Sequence, residues 1–274
     1  MTPTWTSDTP PDPVQITALG WLRVLVRGTL IAAVVFGGFA VLLLLRLIER
    51  PIFREYRPIT PFITVWACRM TLRIMGLRYA VHGQQMTEPG ALVANHSTWL
   101  DIFVLNAGGP LYFVAKSGVA NWPGIGWLAR GTGTVFVDRD RSQAHAQTRL
   151  FRSRLENGHT LLFFPEGTST DGMRVLPFKS TLFQSFFDPS LHERTCLQAV
   201  SVKYTAPVGQ PARFFGWWGD MGFAPNLVQV LAMAPQGGVD VVYHPPIAVS
   251  EYTDRKSLAA ALEARVRASH KAAD

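Results

Sequence analysis

The chain has 274 residues, a length that suits one large domain with an appendage. Hydrophobic residues make up 48% and charged residues 16%, with a mean hydropathy of +0.14, so the composition excludes an intrinsically disordered protein and favours membrane contact. The net charge is +7, and the first 80 residues carry nine arginines against four acidic residues. Because the positive charge accompanies the most apolar part of the chain, it favours an anionic lipid surface over nucleic acid.

The N-terminal quarter of the sequence predicts a membrane anchor. Residues 1–20, rich in proline and threonine, are predicted to be a disordered lead-in, and residues 21–80 a membrane-anchoring helical segment. Residues 28–45 carry no charge and would form about 27 Å of helix, just short of a hydrocarbon core of about 30 Å. Both a tilted span and a deep anchor in one leaflet fit this length. No small-residue cleavage site follows, which argues against a removable signal peptide.

A second apolar segment covers residues 61–77. Its two arginines, Arg69 and Arg73, are four residues apart and therefore share one helix face, while large apolar residues occupy the rest. This pattern favours a helix that lies in the membrane interface. The alternative is a core helix whose two arginines are solvated.

The remaining chain, residues 81–274, is predicted to form a single layered α/β domain. Its short apolar runs are continuous rather than alternating, which is typical of a central sheet that is mostly buried on both faces. Helices are predicted over residues 142–157 and 254–272, between or after the strands. The predicted strands cover residues 91–94, 111–115, 134–138, 160–164, 197–203 and 239–243.

The first candidate catalytic motif is Asn-His-Ser-Thr-Trp-Leu-Asp, residues 95–101, directly after a predicted strand. Inside one regular helix, His96 and Asp101 would lie about 140° apart and could not touch. With His96 on the strand-to-helix turn and the helix beginning near Ser97 or Thr98, the Asp101 carboxylate can reach the imidazole. Such a pair forms a general base with its orienting acid. The alternative is a capping histidine with a solvated aspartate.

Two further motifs follow predicted strands. Residues 133–139 (GTVFVDR) end in Arg139, which is well placed for a phosphate or carboxylate, although a solvated helix start uses the same residues. Residues 164–168 (FPEGT) place Glu166 in a loop beyond a strand end, where open α/β sheets bind ligands. A plain turn with a solvated Glu166 is the alternative.

In this order and spacing, the three motifs resemble those of the glycerolipid acyltransferase family that includes the 1-acylglycerol-3-phosphate acyltransferases. A fourth apolar block, LQAVSVKY at residues 197–204, completes the resemblance, which covers about residues 60–250. It implies a membrane-bound enzyme that moves a fatty acyl group from a thioester of coenzyme A or acyl carrier protein to the hydroxyl of a lysolipid, by default 1-acylglycerol-3-phosphate. The expected location is the bacterial inner membrane, with the catalytic domain facing the cytoplasm.

The resemblance also assigns roles to particular residues. It implies that His96 is the general base and Asp101 its partner. It implies that the acceptor is bound by a second set of residues: Asn95, Lys116, Gly133, Arg139, Glu166, Gly167 and Thr168. No metal and no cofactor beyond the acyl thioester co-substrate are expected.

Two departures from the family pattern bear on the acceptor. Ser169 stands where the third motif usually continues with arginine, and the fourth block lacks its usual proline. Residues 164–183 and 217–221 instead resemble the lyso-ornithine lipid acyltransferase branch, whose acceptor has no phosphate. Arg174 and Lys179 are candidates to replace the missing arginine.

Two other functions remain as alternatives, and a third is disfavoured. A lipid or thioester hydrolase needs an exposed nucleophile, but the sequence has no G-x-S-x-G, and the nearest match, residues 167–171, lacks the final glycine. A non-catalytic lipid-binding protein would have no use for a His-Asp pair. Nucleic-acid binding is disfavoured because the aromatic residues near the arginines lie within apolar segments.

Overall fold

The computed structural model describes residues 4–8, 15–138 and 144–271. Two antiparallel helices, α1 (Ala18–Phe53) and α2 (Thr60–Met75), form the N-terminal part. Glu49 of α1 fixes the turn between them, since its carboxylate accepts the backbone N–H groups of Ile59 and Thr60 at 2.8 and 3.2 Å. Gly76 ends α2 in the left-handed conformation.

Helix α1 is twice as long as its uncharged stretch. Its few buried residues, which include Gly20, Gly38 and Leu42, share one face, while the opposite face exposes large apolar side chains. Within the described residues, α1 alone is long and apolar enough to cross a membrane. The helix continues through Arg27 because this side chain is paired: its guanidinium donates to the carbonyls of Leu231 and Met233 at 2.9 and 2.6 Å.

Helix α2 has one buried face and one face with exposed apolar side chains. Val65, Leu72 and Met75 are buried in the core, whereas Phe62 and Trp66 are exposed. Arg69 is not solvated as a core helix would leave it, because its Nε donates to the carbonyl of Ala107 at 2.7 Å.

The rest of the described chain forms one sheet with helices on both faces. Its strands are β1 (Arg78–His82), β2 (Gly90–Ala94), β3 (Tyr112–Lys116), β4 (Val135–Val137), β5 (Leu161–Phe163), β6 (Cys196–Thr205), β7 (Gly238–Tyr243) and β8 (Ile247–Ala248). Its helices are α3 (Asp101–Gly108), α4 (Ile125–Thr132), α5 (Ala144–Glu156), α6 (Pro189–His192), α7 (Phe223–Ala232) and α8 (Arg255–Lys271). Short 3-10 helices cover Ser117–Asn121, Leu182–Phe187 and Val249–Glu251.

The sheet order positions the site. The strands run β1-β7-β6-β2-β5-β3-β4, with β8 paired to β6, and β6, β2, β5, β3 and β4 are all parallel to one another. The strand ends that carry the three motifs therefore meet at one edge, here called the C-terminal edge. The predicted mixed α/β fold and its six predicted strands are confirmed, with ends that differ by one or two residues.

The predicted domain limits need two corrections. Strand β1 crosses the expected boundary at residues 80/81, because Arg78 pairs in register with Gly238 of β7. The predicted disordered lead-in is wrong for residues 4–8 and 18–20. Ala18–Gly20 begin α1, capped by the Thr17 hydroxyl, and Trp5 packs against Trp218 at a ring-centroid distance of 6.3 Å. The large apolar ring of Trp5 gains free energy by packing against the domain, which the polar residues beside it would not.

Candidate active site

The first and third motifs meet at the C-terminal edge of the sheet, together with Lys116. His96 follows β2, Glu166 lies in the loop after β5, and Lys116 ends β3. The neighbouring strands β2, β5 and β3 are parallel, so these positions lie side by side. Buried parallel strands that end beside one another commonly form a ligand site there.

The His96–Asp101 pair has the geometry of a base with its orienting acid. Nδ1 of His96 lies 2.7 Å from Oδ2 of Asp101, whose side chain is fully buried, while the imidazole stays partly exposed. The imidazole also stacks on Phe164, with ring centroids 4.1 Å apart and planes 14° apart. Because the Asp101 carboxylate accepts hydrogen bonds, Nδ1 of His96 carries the proton and donates to it. Nε2 is therefore the nitrogen that can accept a proton from a substrate.

A tight turn creates this contact. Helix α3 begins at Asp101 itself, later than the predicted start near Ser97 or Thr98, because residues 98–101 form a turn in which the Asp101 N–H donates to the Thr98 carbonyl. The Asp101 carboxylate folds back over the turn and accepts the N–H groups of Ser97 and Thr98 at 2.8 and 3.1 Å. One side chain therefore caps the turn and orients the histidine.

Tyr204 is a site residue that sequence reasoning missed. Its hydroxyl donates to Oδ1 of Asp101 at 2.8 Å, from the end of β6. Burial and the adjacent Asp101 carboxylate raise the pKa of the Tyr204 hydroxyl well above its usual range, so it remains a donor. The only sequence signal was its place at the end of the fourth block.

Replacing Tyr204 with phenylalanine is expected to lower kcat about tenfold with little change in KM, because Asp101 loses one of its hydrogen bonds. Steady-state kinetics on the purified variant would measure this. Tyr243→Phe is the matched control: its hydroxyl is buried without a hydrogen-bond partner among the described residues. Equal losses in both variants would contradict a role for Tyr204 in orienting Asp101.

Glu166 does not face an acceptor. Its carboxyl group is buried, and its two oxygens accept the backbone N–H groups of His96 and Leu176, both at 2.7 Å. The prediction that Glu166 hydrogen-bonds the acceptor therefore needs correction: its oxygens join the catalytic turn to the loop after β5. Burial raises the pKa of Glu166 to about 8, and these two backbone donors only partly offset it.

Glu166→Gln is expected to lower the free energy of unfolding by about 1–3 kcal/mol, because the amide nitrogen would face a backbone N–H. Between pH of about 4.5 and 8, native Glu166 holds a proton that the unfolded chain releases, so wild-type stability falls as pH rises. In Glu166→Gln, the free energy of unfolding therefore loses this part of its dependence on pH. Denaturant titrations in detergent from pH 5 to 9 would measure both effects.

Glu156→Gln, at an exposed carboxyl group paired with Arg152, is the control for the loss of one carboxylate. An unchanged slope in Glu166→Gln would contradict the assignment.

Two predicted acceptor contacts are placed elsewhere. The buried Asn95 side chain makes two hydrogen bonds with the backbone of Val202, at 2.9 and 2.8 Å, and so fastens β2 to β6. Gly133 lies at the start of β4, on the opposite edge of the sheet from His96. A glycine is required there because φ is 92° and a Cβ atom would come within 2.7 Å of the Arg57 guanidinium.

Three of the other predicted acceptor residues lie at the C-terminal edge of the sheet. Gly167 adopts a left-handed φ of 75°, and the Thr168 hydroxyl accepts the backbone N–H of Trp5 at 3.3 Å. Lys116 is exposed at the end of β3. Arg139 lies outside the described residues.

Comparisons with known proteins identify the family. The family model described as Acyltransferase matches residues 78–197. The chain is 53% identical over 97% of its length to a lyso-ornithine lipid O-acyltransferase of Rhodobacter capsulatus, of which it covers 96%. It is 34% identical over 65% of its length to a 1-acyl-sn-glycerol-3-phosphate acyltransferase of Neisseria gonorrhoeae, of which it covers 69%.

The fold is also shared with a solved structure. The 1-acyl-sn-glycerophosphate acyltransferase PlsC of Thermotoga maritima matches with a TM-score of 0.62 at 19% identity, over 92% of this chain and 93% of that one. The chain therefore belongs to the acyltransferase family and is a membrane lipid acyltransferase.

Proposed function

We propose that this enzyme transfers a fatty acyl group from an acyl thioester to the hydroxyl of a lyso-ornithine lipid, with His96 as general base. The observation that carries the chemistry is the 2.7 Å contact between the His96 imidazole and the buried Asp101 carboxylate. The acceptor is inferred from the R. capsulatus relative, which matches over nearly the whole chain.

The proposed reaction needs no covalent enzyme intermediate because the thioester is already activated. Nε2 of His96 removes the proton from the acceptor hydroxyl while the hydroxyl oxygen forms a bond to the thioester carbonyl carbon. The resulting oxyanion collapses, the C–S bond breaks, and the thiolate leaves and takes the proton from the imidazolium. Asp101 stabilises the positive charge that the imidazole carries between these two steps.

The loop after β5 supports an acceptor with an amino-acid headgroup. Ser169, which replaces the family's arginine, sits among neutral hydroxyl groups, and the Thr170 N–H donates to the His96 carbonyl at 3.1 Å. Beside it, Asp171 and Arg174 form a salt bridge of 3.0 Å. Ornithine whose α-amino group is in an amide bond carries one carboxylate and one ammonium group, so an acid and a base on one loop offer it two complementary partners.

The test is a competition between two acceptors. Purified protein in lipid vesicles receives one acyl donor with either lyso-ornithine lipid or 1-acylglycerol-3-phosphate. We expect kcat/KM to favour lyso-ornithine lipid by more than about tenfold, roughly 1.4 kcal/mol. A preference for the phosphate acceptor would favour the activity of the Neisseria relative instead. Running each assay with acyl-coenzyme A and with acyl carrier protein identifies the donor, and thioester cleavage without acceptor would reveal a hydrolase.

We further propose that α1 lies within the cytoplasmic leaflet of the bacterial inner membrane rather than across it. Two points of α1, about 33 Å apart along the helix, are held by the rest of the protein: Arg27 at the end of α7, and Glu49 at the start of α2. A hydrocarbon core of about 30 Å between them would require protein on both sides. Cysteines placed before and after α1 should both be protected from an impermeant thiol reagent in intact cells.

A further inference from the structure

Two tryptophans are exposed on the segment between β3 and β4. Trp122 precedes α4 and is 44% exposed, and Trp127 lies within α4 and is 66% exposed. A soluble surface rarely leaves two indole rings this open, whereas the interface between lipid and water favours tryptophan because one part of the ring is apolar and one part donates a hydrogen bond.

Helix α4 lies directly beside the membrane helix α1. Gly131 packs so closely on the Phe39 ring that a Cβ atom there would be 2.2 Å from it, so only glycine permits this approach. On α1, large apolar side chains such as Leu44 and Leu47 are exposed. Trp127 is therefore carried by a helix that adjoins the lipid-facing surface of α1.

Helix α4 carries one exposed aromatic residue and one exposed basic residue, a combination that suits the membrane interface. Arg130 is exposed and follows Trp127 by three residues, so both lie on neighbouring positions of one helix face. Its guanidinium donates to the Ala120 carbonyl, in the 3-10 helix that directly precedes Trp122. An arginine at this position can reach the phosphate layer while the indole sits just below it.

The same segment is connected to the catalytic turn. Trp122 meets Trp217 edge-on, with ring centroids 6.3 Å apart. The backbone N–H of Trp217 donates at 2.9 Å to the carbonyl of Ser97, the residue after His96. A membrane contact at α4 would thus hold the active-site edge of the sheet close to the lipid surface.

From these contacts we infer that Trp122 and Trp127 form a second membrane contact, separate from the α1–α2 pair, which inserts into the interface of a phospholipid bilayer. It brings the mouth of the active site to the level at which a lysolipid exposes its hydroxyl. This inference rests on the membrane association of α1 but not on the identity of the acceptor.

The direct test is an environment-sensitive fluorophore at position 127. Trp127→Cys is made in a Cys196→Ser background, where the remaining Cys68 is buried, and is labelled with the fluorophore NBD. On vesicles of zwitterionic and anionic phospholipid, we expect its emission to shift to the blue and to be quenched by lipids that carry a nitroxide near the headgroup. The same label at Ala264, exposed on α8 across the sheet, should show neither change.

A kinetic test complements the label. Trp127→Ala should raise KM for vesicle-borne acceptor about tenfold, with kcat unchanged, because an interfacial aromatic is lost. Trp127→Phe should restore most of the loss. An unquenched label on vesicles would overturn the inference, as would a blue shift without lipid that grows with protein concentration, which would identify a second copy as the partner. Failure of the lyso-ornithine acceptor would leave the fluorescence result unaffected.

Discussion

His96→Ala is expected to lower kcat by about 10²- to 10⁴-fold, the usual contribution of a general base. No neighbouring group can replace it in this geometry, because Asp101 is buried behind the imidazole and Glu166 is bound to two backbone N–H groups. Since the imidazole is partly exposed and packs on one face against Phe164, its removal leaves the backbone turn in place. The variant should therefore fold and still bind vesicles.

The measurement is single-turnover acyl transfer with purified protein in vesicles, alongside thermal unfolding. The chain offers a matched control in His82, which lies on the exposed edge strand β1. Its Nε2 is 3.3 Å from Oδ1 of Asp240 on β7, so it has an aspartate partner of its own. His82→Ala removes a similar pair and should keep wild-type turnover. If His96→Ala retained a rate within a few-fold of wild type, His96 would not be the base.

Asp101→Asn is expected to lower kcat at least about 10²-fold while changing the structure little. The amide oxygen can take the place of Oδ2 and accept from His96, Ser97 and Thr98, while the amide nitrogen faces the Tyr204 oxygen, which can accept a hydrogen bond. The replacement thus keeps the hydrogen bonds and removes the negative charge. The imidazolium formed during proton transfer then lacks its counter-charge.

Steady-state kinetics over a range of pH, together with thermal unfolding, would check this outcome. Asp240→Asn, in the exposed pair with His82 and Arg78, serves as the control and should leave kcat unchanged. A large fall in melting temperature with intact specific activity would show that Asp101 acts only as the cap of its turn. Wild-type activity in the variant would exclude the proposed dyad.

The fold was largely predictable because its signals are local. Strands β2 and β5 are short apolar runs with no polar interruption, and both are buried in the sheet. Strand β1 was not predicted, because its residues are half exposed at an edge and resemble a loop in composition. Helix α1 extends well beyond its uncharged stretch because its flanking Arg27 and Glu49 are satisfied by distant carbonyl and N–H groups. No local pattern contains those partners.

The sequence by itself determined the family, the His96–Asp101 pair and the membrane character of the N-terminal region, because these depend on residue spacing and on continuous apolar runs. Only the tertiary structure decided what Asn95, Gly133, Glu166 and Tyr204 do. Each of these side chains or positions meets a group more than 40 positions away: Val202, Arg57, the His96 backbone and Asp101. A motif shows which residues are near the chemistry, but burial and hydrogen bonds between distant segments decide which of them face the substrate and which hold the site in shape.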